Sequence, residues 1–164
     1  MRKKVRIGII GISGSGKTSL ALRLAPNINV GMAYVSGDFL LEENIVRVVN
    51  CIDKVVVEHI DLAKLILEHN LDLHSLIFLN LPVNVCIERV KIRSGHWCNP
   101  IENFHRIHNT IHSEFKIIQK NSSILCKELN MENLEWIINK DLYGAELLDY
   151  IYGHNNIISK LYDS

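Results

Sequence analysis

The chain has 164 residues, of which 48% are hydrophobic and 22% are charged, a composition typical of folded globular proteins rather than of disordered ones. Eighteen Lys and Arg residues balance eighteen Asp and Glu residues, which disfavours broad binding to DNA or RNA backbones, because such binding normally requires a basic excess. The apolar runs are too short to cross a bilayer. We therefore expect one domain over residues 1–164, with no membrane partner.

The first half of the chain alternates β-rich runs with stretches of helical periodicity. Strands are predicted at residues 5–10, 32–36, 54–58 and 75–80. Helices are predicted at residues 15–24, 39–50, 60–69 and 83–93. Such alternation indicates βαβ units, and therefore an α/β fold with a parallel sheet of four or five strands that is covered by helices on both faces.

A glycine-rich segment lies between the first predicted strand and the first predicted helix. It reads GISGSGKT over residues 11–18 and matches G-x-x-x-x-G-K-[ST] at every fixed position. Backbone amides of such a loop, together with the positive end of the following helix, converge on phosphate oxygens. The segment therefore predicts binding of ATP or GTP. The nucleotide-binding residues are predicted to be Gly11, Ser13, Gly14, Ser15, Gly16, Lys17, Thr18 and Ser19.

Two side chains of this loop have predicted roles beyond shape. Lys17 is placed to reach the β- and γ-phosphates as a point charge, and the hydroxyl of Thr18 is placed to coordinate magnesium (Mg²⁺). A GTPase would also need the base-reading element N-K-x-D. Asn139 and Lys140 supply its first half, but Leu142 stands where the aspartate should be, which argues against a guanine-nucleotide switch.

The loop and three later landmarks together resemble the small P-loop phosphotransferases, that is, the nucleoside-monophosphate-kinase-like kinases. The segment SGDF at residues 36–39 is similar to their acidic element after the second strand, and Glu58 closes the third strand as in several members. The segments LIFLNLP at residues 76–82 and IERVKIR at residues 87–93 resemble their fourth strand and the helix that leads into an arginine-bearing lid. The resemblance covers about residues 5–112 and implies the P-loop NTPase three-layer sandwich.

The predicted lid spans about residues 93–106. Its sequence RSGHWCNP, with Arg106 after it, is similar to the lid of zeta-toxin-like sugar-nucleotide kinases and, less closely, to that of polynucleotide kinases. Two departures stand out, because family members usually have aspartate where Asn80 stands and two glycines where Ser94 and Gly95 stand. Trp97 either stacks on a nucleobase or anchors the lid by burial.

The chemistry of phosphoryl transfer assigns roles to several polar residues. Asp38 follows the second predicted strand, where ligands of open parallel sheets bind, and we predict that it is the base that orients an acceptor hydroxyl; its alternative role is a helix N-cap. Glu58 is predicted to hold a magnesium-bound water or an acceptor hydroxyl, or else to be a solvated strand end. Arg93 and Arg106 are predicted lid charges, whereas Arg89 either binds the acceptor substrate or lies on a solvated basic face.

The resemblance implies an enzyme that moves the γ-phosphoryl group of ATP, with Mg²⁺, to a hydroxyl or phosphate of a small molecule such as a nucleoside, nucleotide or sugar nucleotide. Two alternatives stay open. A polynucleotide 5′-hydroxyl kinase is opposed by the neutral net charge. A non-catalytic nucleotide-binding regulatory protein is favoured by Asn80 and by the short stretch between Asp38 and Glu58.

The second half of the chain is predicted to be mostly helical, with a weak strand candidate at residues 123–126. The helical tail, about residues 113–164, either packs over the nucleotide side of the sheet or forms a homodimer surface. His105, His108 and His112 share one side of a predicted helix, which favours a polar face over a zinc site. The four cysteines form no C-x-x-C pair, and no secretory signal is recognisable, so we expect free thiols and a cytoplasmic location.

Overall fold

The structure, a computed structural model, describes residues 4–25, 33–36, 42–69, 71–94 and 101–158. Its strands are β1 Val5–Ile10, β2 Ala33–Ser36, β3 Lys54–Glu58, β4 Ser75–Leu79 and β5 Leu125–Leu129. Its helices are α1 Lys17–Leu24, α2 Glu42–Cys51, α3 Leu62–His69, α4 Val83–Ser94, α5 Ile101–Asn121, α6 Met131–Asn139 and α7 Gly144–Tyr152. The predicted α/β order of the first half is confirmed, with shifts of a few residues at the ends of the elements.

The five strands form one parallel sheet in the order β2-β3-β1-β4-β5. β1 lies at its centre, and all six of its residues are buried. Strands covered on both faces carry continuous apolar runs, which explains why the runs of β1, β3 and β4 are so readily recognised in the sequence. The order also places the end of β1, and with it the glycine-rich loop, between the ends of β3 and β4.

The fifth strand corrects the prediction for the tail. β5 covers Leu125–Leu129, whereas the sequence offered only a weak candidate at residues 123–126. Its Lys127 and Glu128 mask the strand pattern, because β5 is an edge strand whose residues are mostly only half-buried. Backbone hydrogen bonds to the segment around β4 hold this strand in the sheet. The amide of Leu125 donates to the carbonyl of His74, and the amide of Asn80 donates to the carbonyl of Leu129.

Helices cover both faces of the sheet. On one face α1 contacts α7, and on the other α3 contacts α5. A hydrogen bond joins the tail to the sheet. The hydroxyl of Ser75 in β4 and the hydroxyl of Tyr152 in α7 lie 2.6 Å apart. Burial raises the pKa of the Tyr152 phenol. Within the described ranges, no helix combines the length and the apolar character that a membrane span requires.

A buried arginine holds the opposite end of the sheet from the loop. Arg6 in β1 is only 2% exposed, and its guanidinium donates to the carbonyls of Asn50 and Ile52 at 3.0 and 2.9 Å. These carbonyls lie in the last turn of α2 and just beyond it, where a helix carries partial negative charge. A third hydrogen bond reaches the exposed carboxylate of Asp72 at 3.1 Å. Arg6 therefore joins β1 to the end of α2.

Candidate functional site

The glycine-rich loop owes its shape to residues without a side chain. Gly14 and Gly16 have φ values of 84° and 95°, a left-handed conformation that other residues adopt only at a cost. A Cβ on Gly14 would also overlap the carbonyl oxygen of Cys86 in α4, whereas a Cβ on Gly16 would meet nothing within 4 Å. α1 begins at Lys17, two residues later than the predicted start at residue 15, because Gly16 cannot join the helix with that φ.

The loop is closed by its own lysine. The ammonium of Lys17 donates a hydrogen bond to the carbonyl of Ile12 at 3.0 Å, and the amide of Ser15 donates to the same carbonyl at 3.1 Å. The hydroxyl of Ser15 is buried and has no hydrogen-bond partner among the residues that the structure describes. Gly11 is buried directly after β1, while Thr18 and Ser19 are exposed in the first turn of α1.

A small cavity at this loop, which we call the phosphate cavity, has a volume of about 140 Å³. The residues around it come from three parts of the chain: the loop and the start of α1, the end of β3, and the end of α4. They are Ser13, Gly14, Gly16, Lys17, Thr18, Ser19, Glu58 and Arg93. The fold therefore brings two residues that sequence analysis singled out separately, Glu58 and Arg93, to the same loop.

Glu58 reaches the cavity because β3 is the direct neighbour of β1. It pairs in register with Ile9 of β1 and is 3% exposed. The predicted alternative of a solvated strand end is therefore wrong. The buried carboxylate thus lies around the same cavity as Lys17 and Arg93.

The oxygen donors of this cavity fit a Mg²⁺ ion. Thr18 offers a hydroxyl and Glu58 a carboxylate, and magnesium in nucleotide sites takes few protein ligands, since phosphates and waters supply the rest. The described residues contain no group of three or more His, Cys, Asp or Glu side chains that would form an all-protein metal site. Thr18, through its hydroxyl, and Glu58, through its carboxylate, are the residues that would hold the ion.

A second cavity, the side cavity, adjoins the loop and has a volume of about 300 Å³. One wall consists of residues 14–16 of the loop and of Ser19, Leu20 and Arg23 from α1. The opposite wall comes from the tail. The remaining lining residues are Arg89, Arg93, Leu134, Ile137 and Ile138. Residues of α6 in the tail therefore lie beside the glycine-rich loop, and the homodimer surface stays a prediction.

The two predicted lid arginines, Arg93 and Arg106, and the predicted substrate-binding Arg89 take different places. Arg93 lines both cavities. Arg89 lines the side cavity and donates to the carbonyl of Gly14 at 3.3 Å, so it contacts the loop. Arg106 is exposed on α5, donates to Asn103 at 3.4 Å and lines neither cavity. Its role in the lid stays a prediction.

Several predicted residues lie outside the described ranges. Asp38, the predicted base, is one of them, and so are Gly95 and Trp97 in the predicted lid. Their roles stay predictions.

One of the three histidines of α5, His108, departs from the predicted polar face. His108 is buried, and its ring lies 5.8 Å from that of Phe78 in β4. Burial lowers the pKa of His108, and the neighbouring His112 and His105 lower it further. The imidazole therefore serves as part of the core, because the helix turns it toward the sheet.

Sequence reasoning missed Arg23 and the apolar residues of α6 that line the side cavity. Arg23 lies six residues beyond Lys17 on α1, and this closeness to the glycine-rich loop is the one sequence signal that could have identified it. For the residues of α6, the sequence pattern predicts only an amphipathic tail. Nothing local in the sequence shows which surface such a helix covers.

No protein-family model and no curated protein matches this sequence. Solved structures do match in fold. Shikimate kinase from Acinetobacter baumannii in complex with shikimate is 14% identical, with a TM-score of 0.55 over 85% of this chain and 92% of that chain. Deoxyadenosine kinase from M. mycoides with bound dATP is 12% identical, with a TM-score of 0.59 over 83% of this chain and 98% of that chain. The chain therefore has the fold of the small P-loop kinases.

Proposed function

We propose that the chain is a phosphotransferase that uses ATP and Mg²⁺ to move the γ-phosphoryl group to a hydroxyl or phosphate of a small molecule. The observation that carries this proposal is the phosphate cavity, in which Lys17, Thr18, Glu58 and Arg93 converge on one loop. Phosphoryl transfer depends mainly on positioning and on neutralising charge. This cavity supplies two cations, backbone amides and the oxygen ligands for a metal ion.

Each side chain then has a defined task. Lys17 exchanges its hydrogen bond with Ile12 for the phosphates of the donor. Thr18 and Glu58 would hold a Mg²⁺ ion, which would neutralise charge on the phosphates. Arg93 balances negative charge that develops on the transferred group, because α4 ends at the mouth of the cavity.

The side cavity is the proposed place of the donor base. It continues from the loop, its volume of about 300 Å³ is in the range of small-molecule sites, and its far wall is apolar at Leu134, Ile137 and Ile138. Arg89 and Arg93 also line it, and their planar guanidinium groups are suited to stacking on an aromatic ring. A nucleotide thus fits with phosphates in one cavity and the base in the other.

On the acceptor side we propose a nucleoside, nucleotide or sugar nucleotide, with Asp38 as the base. The deoxyadenosine kinase structure contains dATP and the shikimate kinase structure contains shikimate, which supports a small-molecule acceptor class for this fold. We also propose a cytoplasmic location, based on the scattered cysteines. A homodimer through the tail remains a prediction.

The deciding experiment is a transfer assay with γ-labelled ATP and Mg²⁺ over a panel of nucleosides, nucleotides and sugar nucleotides. The wild-type chain should label at least one acceptor, and Lys17→Ala should abolish the transfer. Asp38→Asn should then lower turnover of that acceptor by about 10²–10⁴-fold, the range of general-base contributions. Unchanged turnover would remove Asp38 from the mechanism.

The same assay separates the alternatives. Labelling of a 5′-hydroxyl oligonucleotide, and of no metabolite, would identify a polynucleotide kinase. Tight ATP binding that depends on Lys17, without transfer to any acceptor, would identify a nucleotide-binding regulatory protein. Either result would overturn the proposed activity.

A further inference from the structure

We infer that Arg23 is a positioning residue that holds the tail wall of the donor-base site against the phosphate-binding loop. This inference rests on the proposed function, because it concerns the side cavity as the place of the donor base. Arg23 lies on α1, the helix that starts with Lys17, and its side chain is only 18% exposed. It is therefore part of the packed structure at the loop and not a freely solvated cation.

The guanidinium of Arg23 makes three contacts with the turn between α6 and α7. One of its nitrogens donates to the carboxylate of Asp141 at 3.2 Å and to the carbonyl of Leu142 at 3.3 Å. The guanidinium carbon also lies 4.5 Å from the centre of the Tyr143 ring, within the range of a cation–π interaction. Three consecutive residues of one turn are thus held by a single side chain of α1.

The turn in question is built on the residues that line the cavity. The amide of Asp141 donates to the carbonyl of Ile138 at 3.1 Å, and the amide of Leu142 donates to that of Ile137 at 3.0 Å. Ile137 and Ile138 are also the side chains that form the apolar wall. Any shift of the turn is therefore transmitted through two backbone hydrogen bonds to that wall.

The turn also contains a residue in the left-handed conformation. Asp141 has a φ of 53°, which aspartate and asparagine adopt more readily than most other residues with a side chain. Arg23 contacts this residue through its carboxylate. Arg23 therefore links the turn after α6 to α1, and it lines the side cavity itself.

The experiment compares two ligands that differ in whether they carry a base. ATP occupies both cavities, whereas inorganic tripolyphosphate occupies only the phosphate cavity. In Arg23→Gln we expect the Kd of ATP to rise about five- to tenfold, since a tenfold change corresponds to one strong contact. The Kd of tripolyphosphate should stay within about twofold of the wild-type value. Calorimetry on the full chain with Mg²⁺ measures both.

A second variant guards against loss of folding. Asp141→Asn keeps a residue type that tolerates positive φ but removes the charged partner, and it should weaken ATP in the same selective way by a smaller factor. Arg47→Gln is the matched control, because Arg47 is an exposed arginine on α2 that contacts Asn44 and lines neither cavity. It should change neither Kd.

The outcomes separate this inference from the proposed function. Wild-type chain that binds neither ATP nor tripolyphosphate would overturn the proposed function itself. Wild-type chain that binds both, with an unchanged ratio of the two Kd values in Arg23→Gln and Asp141→Asn, would overturn the role of Arg23 alone. An equal weakening of both ligands would assign Arg23 a general structural role and would likewise overturn the inference.

Discussion

The guanidinium of Arg89 donates a hydrogen bond to the carbonyl of Gly14 at 3.3 Å. α4 therefore sits directly on the phosphate-binding loop, and it approaches so closely that the backbone of Cys86 occupies the space where a Cβ on Gly14 would lie. The helix that carries Arg89 and Arg93 and the glycine-rich loop are packed as one unit. A change in this contact should alter both stability and nucleotide binding.

Two loop glycines allow this contact to be tested with matched substitutions. Gly14→Ala adds a Cβ against the Cys86 carbonyl and also strains φ, whereas Gly16→Ala strains φ alone. We expect the free energy of unfolding to fall by about 3 kcal/mol for Gly14→Ala and by about 1 kcal/mol for Gly16→Ala. Urea denaturation followed by circular dichroism measures both. Equal losses of unfolding free energy in the two variants would show that α4 can move away from the added Cβ without destabilising the chain.

Glu58→Gln should change the magnesium dependence of nucleotide binding. The substitution keeps the shape of a buried side chain at the phosphate cavity but removes the charge that attracts the cation. We expect the Mg²⁺ concentration needed for half-maximal ATP binding to rise about tenfold, while binding of ATP without Mg²⁺ changes by less than about twofold. A fluorescent ATP analogue titrated with Mg²⁺ provides the measurement.

The control for this prediction is Glu43→Gln, which removes an exposed carboxylate from the first turn of α2. It should leave the magnesium titration unchanged. If Glu58→Gln behaves like this control, Glu58 does not serve the metal ion, and its carboxylate must be assigned to the acceptor or to the fold.

Arg6→Met should destabilise the chain without touching the nucleotide site. The substitution keeps the aliphatic stem but leaves the carbonyls of Asn50 and Ile52 without their donor. We expect a loss of about 3 kcal/mol in the free energy of unfolding, the usual size for breaking a buried charged network. Asp72→Asn, which alters only the exposed partner, should cost less than about 1 kcal/mol. Similar losses for the two variants would mean that the ion pair, and not the backbone contacts, carries the effect.

His108 should make the chain less stable as the pH falls. Burial lowers the pKa of this imidazole below its ordinary value of 6.5, and the effect of His112 and His105 exceeds the opposing effect of Glu128. Above pH 6.5 the group is neutral in both states and contributes no pH dependence. Below it, the unfolded chain takes up a proton that the folded chain resists, so stability is lost as the pH falls from 6.5 toward the lower folded pKa.

Urea denaturation at pH 7.5 and 5.5 measures this effect. A single such group contributes up to about 1.4 kcal/mol per pH unit. His108→Leu, which places an apolar side chain beside Phe78, should reduce the acid loss. Part of the loss should persist, because burial also lowers the pKa of His74. An identical acid loss in the variant and the wild type would show that His108 is free to protonate in the folded chain.

The fold was predictable from the sequence wherever one local signal sufficed. The buried runs of β1, β3 and β4 are continuous, because parallel strands at the centre of a sheet face apolar layers on both sides. The edge strand β5 was not predictable in the same way. Its Lys127 and Glu128 interrupt the pattern, and the strand depends on pairing with β4.

The candidate site likewise has one part that a local sequence signal predicts and one part that depends on contacts between distant residues. The glycine-rich loop can be located from the sequence alone, since its motif lies in eight consecutive residues, and glycine at positions 14 and 16 permits the left-handed conformations found there. Which distant residues join the loop depends on the tertiary structure. The strand order carries Glu58 to the loop, and the contacts of Arg23 hold the turn after α6 beside the side cavity. Such contacts link residues far apart in the chain, so no local pattern of side chains encodes them.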